Sequence, residues 1–309
     1  MKSVDNFLKH INRNEMTAIL DIQNVLLNVM QNFAFDNGFK QIMPILMSPI
    51  TDPLNHDVYP AEIKYEQHKL KLTASMIFHK QLALMGLNTD KILIMAPNIR
   101  LELANKKSSS NHLLEFSQFD IEIKDASIDD VIKFIEKLYL HLFSEIKERC
   151  AEQLAALGRE LPELPKSFPI YSTVGMPLAE VDEFCEKISR KSTVPTFITN
   201  FKREFYDKED LDNPGTYQNF DIVYPEGFGE GLSGAEREYE YKQIIRRMDE
   251  LDMDLAPYEN YLEIAKKGLI PRTAGCGIGM QRLLKYICGK ELISDVCLFD
   301  RSINTDFIF

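Results

Sequence analysis

Three runs decide the fold: KILIMA (residues 91–96), IRLEL (99–103) and HLLEFSQFDIEI (112–123). Each reads as a strand, and the polar stretch Ala104 to Ser110 between the last two reads as a flexible turn. Side chains alternate across a strand. Arg100 and Glu102 therefore share one face, and His112, Leu114, Phe116, Gln118, Asp120 and Glu122 share another. A hairpin of this kind gathers a cation, carboxylates, an imidazole and an aromatic ring on one surface. A solvated sheet face accounts for the same pattern without any chemistry.

Upstream, Glu62–Tyr65 and Lys69–Thr73 alternate around a short turn and predict a hairpin, followed by a helix from Ser75 to Leu87. Phe39 to Leu46 predicts a strand, which Pro44 marks as an edge or a break. Ile22, Val25, Leu26, Val29 and Phe33 recur at helical spacing within 17–36. Downstream, Ser127-Ile128-Asp129-Asp130 has a capping-box pattern and opens a helix expected to run to about Leu157, with Gly158 just beyond. A helix at 177–190 and a strand at Pro195–Phe201 follow. Asn219–Tyr224 predicts a strand, then a glycine-rich loop, a helix at Glu236–Leu251, and a glycine run feeding a helix at Ile278–Cys288. Strands are not interleaved with crossover helices, which excludes a doubly wound parallel sheet. The expected class is α+β, a mainly antiparallel sheet flanked by helices, in one domain over residues 1–309.

The 309-residue chain is 45% hydrophobic, enough for a substantial core. No apolar run approaches the roughly 20 residues of a membrane span, and the polar N-terminus has no signal-peptide stretch. A cytoplasmic protein with no membrane partner is expected. The five cysteines form no CxxC pair and the six histidines no metal-ligand spacing, so reduced thiols are expected. The net charge of −11 argues against a large nucleic-acid footprint.

Two further segments carry chemistry. In Arg272 to Arg282, Gly275, Gly277 and Gly279 would let backbone approach a phosphate or nucleotide, and the next helix adds its positive end. In Asn219 to Glu238, Asp221 and Glu230 are oxygen donors suited to magnesium, with Arg237 at the junction with the following helix. Each alone also suits an ordinary turn.

In this order the segments resemble the signature motifs of class II aminoacyl-tRNA synthetases of the aspartyl/asparaginyl group. Gly38-Phe39 to Pro44 is similar to the first motif, Arg100-x-Glu102 with His112-x-x-Glu115-Phe116 to the second, and Gly275-x-Gly277-x-Gly279 with Arg282 to the third. The likeness runs from about residue 17 to 300. Within the group it is nearest to the archaeal-type asparagine synthetase family, and the helix preceding the first motif starts so early that no anticodon-binding barrel is expected before it.

The resemblance implies ATP and Mg2+ as cosubstrate and cofactor. Arg100 would bind the α-phosphate and stabilise the transition state. Glu102 would contact the adenine amino group, with Phe116 and Arg282 on the two adenine faces. Arg282 and His112 would reach the γ-phosphate, and Asp221 and Glu230 would hold magnesium. Gly277 and Gly279 would line the ATP site. Asp120 is a candidate for the substrate's α-ammonium, with Ser75, Gln118 and Ser233 completing the substrate pocket. Lys80 and Arg237 would hold a carboxylate, which suits aspartate better than a neutral amide.

The reading that follows is an AMP-forming ligase making asparagine from aspartate and ammonia through an aspartyl-adenylate, without tRNA, as a homodimer. An aspartyl-adenylate-forming paralogue passing its acyl group to another amine, a carrier or a tRNA is the alternative, and a non-catalytic amino-acid or nucleotide sensor a third. Which carboxylate is activated stays open, as does the acid that deprotonates ammonium, among Glu102, Asp120, Glu122 and Glu226. The pattern departs from the family at Gln281, Ala235, Asp300 and Asn111, where an acid, a metal-contacting serine, a proline and an arginine are usual.

Overall fold

The computed structural model describes residues 2–86, 88–103, 110–303 and 305. Most of the expected turn at 104–110 lies outside them. Helices α1 (Lys2–Ile11) and α2 (Asn14–Asp36) lead into the short strands β1 (Lys40–Gln41), β2 (Met47–Ser48) and β3 (Val58–Tyr59). The hairpin β4 (Glu62–Tyr65) and β5 (His68–Leu72) and helix α3 (Ile77–Gly86) follow. Next come β6 (Lys91–Ile99), β7 (Leu101–Glu102), β8 (Glu115–Lys124), α4 (Ile128–Arg149) and α5 (Ala151–Ala156). The chain continues through β9 (Ile170–Ser172), α6 (Leu178–Lys191), β10 (Thr196–Thr199), β11 (Asn219–Tyr224) and β12 (Gly229–Glu236). It then runs through α7 (Tyr241–Glu250), α8 (Glu259–Lys266), β13 (Thr273–Gly279) and α9 (Met280–Cys288).

Among the described residues eight strands form the main sheet, in the order β1-β6-β8-β13-β12-β11-β10-β9. Its six central strands pair antiparallel, and only the edges β1 and β9 pair parallel. The expected mainly antiparallel α+β architecture is what the chain adopts. One face is covered by α2, α4 and α9: Ile19, Ile22, Leu26 and Val29 meet Ile135, Leu138, Leu142, Leu283 and Ile287 in one core. Phe119 and Ile121 of β8 point into that core. Alternation therefore turns Gln118, Asp120 and Glu122 to the opposite face.

Several differences from the periodicity reading have local causes. The expected break between residues 96 and 99 is absent, and β6 runs through Pro97. The Ile99 amide bonds Thr73 on the side away from β8, so Pro97, two residues earlier, lacks its N–H on that same side. β1 pairs only as far as Leu93, so no ladder bond is lost there. Only Lys40–Gln41 of the expected strand at 39–46 pairs. The long helix breaks at Cys150 into α4 and α5, so that Leu154 reaches the core; Gly158, at φ 63°, follows as expected. The Ser127–Asp130 capping box is formed as read, a feature worth about 1 kcal/mol.

The largest difference concerns the glycines. The segment read as a glycine-rich loop after Tyr224 is mostly strand β12, and the glycine run at 275–279 is strand β13 itself. Gly275, Gly277 and Gly279 stand opposite Glu122, Asp120 and Gln118 across the β8–β13 ladder. A Cβ on Gly275 would lie 2.2 Å from Glu122 Oε2, and one on Gly277 would lie 2.8 Å from Asp120 Oδ1. The missing side chains make room for charged neighbours on the sheet's open face.

Candidate active site

That open face floors a cavity of about 530 Å³. Of the residues singled out from the sequence, Ser75, Lys80, Arg100, Glu102, His112, Phe116, Gln118 and Asp120 line it. So do Glu230, Ser233, Arg237, Gly277, Gly279 and Arg282. β8, β12 and β13 supply the floor, α3 delivers Lys80, and the first turn of α9 delivers Arg282. A second apolar cluster, with Phe78, Phe205, Tyr206, Ile244 and Tyr261, packs α3 against α7 and α8 and fixes Lys80 from behind.

One end of the cavity is a buried charge cluster. Lys80 Nζ is 2.8 Å from Asp120 Oδ1 and 3.8 Å from Glu122 Oε2. Arg237 donates through Nε and a terminal nitrogen to the two Glu122 oxygens at 3.1 and 3.2 Å, and Thr273 adds a donor at 2.6 Å. The other terminal nitrogen of Arg237 lies 3.9 Å from Asp207. Buried charges are tolerated only when paired in this way. Lys80 has three donors and Arg237 five, so neither is exhausted by its partners. Asp120 Oδ2, buried, accepts no hydrogen bond from the described residues.

At the other end, Arg100 donates from Nε to the Ala74 carbonyl at 3.2 Å, and its guanidinium sits 5.2 Å from the centre of the Phe116 ring. Glu102 takes a contact from His56 Nε2 at 3.2 Å, while its buried Oε2 has no hydrogen-bond partner among the described residues. Burial raises the Glu102 carboxyl, but the His56 hydrogen bond and the charges of His56, His112 and Arg100 hold it below the usual range. Arg282 contacts Glu230 at 3.2 Å and donates to the Asn111 carbonyl at 3.4 Å. Desolvation inside the cavity likewise raises Glu230, although about half of its side chain stays open to solvent, and Arg282, Arg203, Arg100 and His112 together bring it below the usual range. Gln281, where an acid is usual, accepts the Ser117 N–H at 3.0 Å through its amide oxygen.

Asp221 does not line the cavity. Its two oxygens take Arg203 at 2.8 and 3.3 Å, and burial, only partly offset by Arg203, pushes its carboxyl up to about 6. Of the two acids expected to hold magnesium, Glu230 therefore fits: it is half-exposed, anionic and faces the cavity. Asp221 as placed does not. Ala235 is buried, while Ser233, the register partner of Asp221, presents the hydroxyl on the cavity side. Glu226, one candidate proton acceptor, lies off the cavity on Arg159 at 2.7 Å. Glu122 is fully buried on Arg237.

The sequence reading missed Asp52, His56, Arg203, Glu204 and Asp207, all on the cavity wall. They sit in irregular segments, and no periodicity marks them. Burial first, then the Asp207 charge, raises the Glu204 carboxyl to about 8.

A six-stranded antiparallel core whose open face carries Arg100 and Arg282 at one end of a cavity and a buried charge cluster at the other defines a class II aminoacyl-tRNA synthetase catalytic fold. The chain belongs to that family: residues 2–302 match the tRNA synthetases class II (D, K and N). It is 31% identical to the aspartate–tRNA(Asp/Asn) ligase of Methanopyrus kandleri over 94% of this chain and 69% of that protein. It is 25% identical to the asparagine–tRNA ligase of Thermoplasma acidophilum, covering 97% of this chain and 73% of that one. In fold it is similar to the asparaginyl-tRNA synthetase of Pyrococcus horikoshii solved with asparaginyl-adenylate, with a TM-score of 0.86 at 22% identity over 98% of this chain and 73% of that one. The relatives are tRNA ligases, which does not support the expectation against tRNA as a partner; that expectation rested on net charge and on the expected absence of an anticodon-binding barrel, and a local surface can bind nucleic acid on an acidic protein. Among the described residues no helix is long and apolar enough to cross a membrane.

Proposed function

We propose that this chain activates aspartate with ATP. A carboxylate oxygen of aspartate attacks the α-phosphorus, pyrophosphate leaves, and aspartyl-adenylate forms. An acceptor nucleophile then attacks the acyl carbon and displaces AMP. The observation that carries the substrate is the placement of Lys80 and Arg237 together at one end of the cavity, each with donors left over. A carboxylate would take those donors, and Asp120 Oδ2 is free to accept the substrate's ammonium. Arg100 and Arg282 would bind the triphosphate, with Arg100 stabilising charge at the α-phosphate. Glu230 would hold magnesium on the triphosphate, where the ion screens charge.

The acceptor we favour is a tRNA, supported by the named activities of the relatives. Ammonia is a second reading, supported by the acidic wall of Asp52, Glu204 and Asp207. With its carboxyl raised to about 8, Glu204 would hold ammonium and accept its proton only in its ionised form, which becomes the major one above that pH. The test is amino-acid-dependent exchange of pyrophosphate into ATP, followed by mass identification of products with tRNA or with ammonium. Exchange with aspartate is expected; exchange with asparagine and none with aspartate would overturn the substrate assignment.

A further inference from the structure

Lys285 has no part in the roles above. It lies on α9 one helical turn beyond Arg282 and is only 4% exposed. Its ammonium donates to Oδ1 of Asn111 and sits 5.7 Å from the centre of the Phe228 ring. Among the described residues no carboxylate lies within ion-pair distance of it. The charged groups nearby are Arg282 on the same helix and Asp295 on the turn Ile293–Val296, itself held by Arg13 at 2.6 Å. Burial, then the Arg282 charge, pushes the amine down to about 8.

A buried cation whose partner is a neutral amide is unfavourable by itself, and an anion binding nearby supplies the missing balance. The geometry points to where that anion goes. Asn111 lines the cavity beside His112, and the contacts that hold it include Lys285 on its side-chain oxygen, Arg282 on its carbonyl at 3.4 Å, and its own amide on the Phe228 carbonyl at 3.3 Å. Lys285 thus stands one hydrogen bond behind the cavity wall, next to Arg282. We propose that Lys285 is a positioning residue for a polyphosphate anion, contributing its charge through the Asn111 clamp without touching the ligand. The identity of the anion as the triphosphate of ATP rests on the activation reading.

The sign of the coupling follows. A bound polyanion raises the depressed amine, so near pH 8 the complex holds more protons on Lys285 than the free protein does. Binding then takes up protons, and affinity falls as pH rises through about 8. The experiment is calorimetric titration of the protein with magnesium-ATP, and separately with tripolyphosphate, at about pH 8 in buffers of different ionisation enthalpy. Wild type is expected to take up protons on binding. Lys285→Met is expected to bind roughly 10-fold more weakly and to lose that uptake. Lys285→Arg is expected to keep the affinity and lose the uptake; this conservative variant carries the test if the methionine variant does not fold. Unchanged proton uptake in either variant overturns the inference. Tripolyphosphate binding that depends on Lys285, without ATP binding, would overturn the activation reading alone. Failure of wild type to bind either probe would overturn both.

Discussion

Gly275 faces Glu122 directly across the β8–β13 ladder, and a Cβ at that glycine would lie 2.2 Å from both the Glu122 carboxylate and the Ile121 carbonyl. The bidentate Glu122–Arg237 pair therefore depends on a hydrogen atom at position 275. Gly275→Ala should destabilise the protein by about 1–3 kcal/mol, because backbone cannot yield as a flexible side chain would. It should also raise the aspartate requirement more than the ATP requirement. Urea midpoints and the two substrate dependences of pyrophosphate exchange check this; an unperturbed variant would mean that the sheet is not tight there.

Lys80 tests the substrate end. Lys80→Met removes the 2.8 Å partner of Asp120 and leaves a buried carboxylate uncompensated. The expected result is a rise of roughly 100-fold in the aspartate KM, with the ATP KM little changed, and a stability loss of about 3 kcal/mol. An unchanged aspartate KM would remove Lys80 from the substrate pocket.

Arg203 and Asp221 form a pair that the double variant separates from the chemistry. Arg203→Met leaves Asp221 buried without its guanidinium and should cost about 3–5 kcal/mol. Adding Asp221→Asn should recover most of that loss, since both charges are then gone. Additive losses in a denaturation cycle would show that the two residues act independently.

Glu204 predicts a pH effect on stability. Burial, with the Asp207 and Asp52 charges, raises its carboxyl to about 8 against the pull of Arg203. The folded protein then keeps a proton that the unfolded chain releases above about pH 4–5. This group makes stability fall as pH rises from about 5 to about 8, and its effect is constant above that window. In Glu204→Gln the fall over the same window should be smaller, read from urea midpoints at several pH values. An equal fall in both proteins would assign the effect to other carboxyls.

The segment after β1 bears on assembly. Met43 is 85% exposed, and Ile45, Leu46 and Met47 beside it are exposed as well. Apolar side chains clustered around Pro44 are expected to be covered by a second copy, in keeping with the homodimer expected from the family resemblance. Sedimentation should give a dimer mass that falls to that of a monomer when Met43 and Leu46 are both made charged. A wild-type monomer at micromolar concentration would argue against this surface.

Much of the architecture was legible from local signals. The α2 stripe, the Ser127–Asp130 capping box, the β4–β5 hairpin and the two faces of β8 follow from spacing alone. The candidate site residues, Asp221 apart, line one cavity. The glycines misled because closely spaced glycines signal a turn when read locally, whereas here Gly275 and Gly277 omit side chains to admit Glu122, Asp120 and Gln118, and Gly231 and Gly234 to admit the rings of Tyr224 and Phe220 from the adjacent strand.

By itself, then, the sequence determined the elements whose hydrophobic period is repeated over several turns or residue pairs, and the chemical types available to the site. Only the tertiary structure decided which charges meet. Asp221 is tied to Arg203 instead of opening onto the cavity, Glu122 to Arg237 across 115 residues, and Lys285 to Asn111 across 174. Those partners sit at strand ends and in irregular segments with no period to read. Their pairing is set by the desolvation each charge suffers once the sheet and helices close over it, a quantity that exists only in the folded chain.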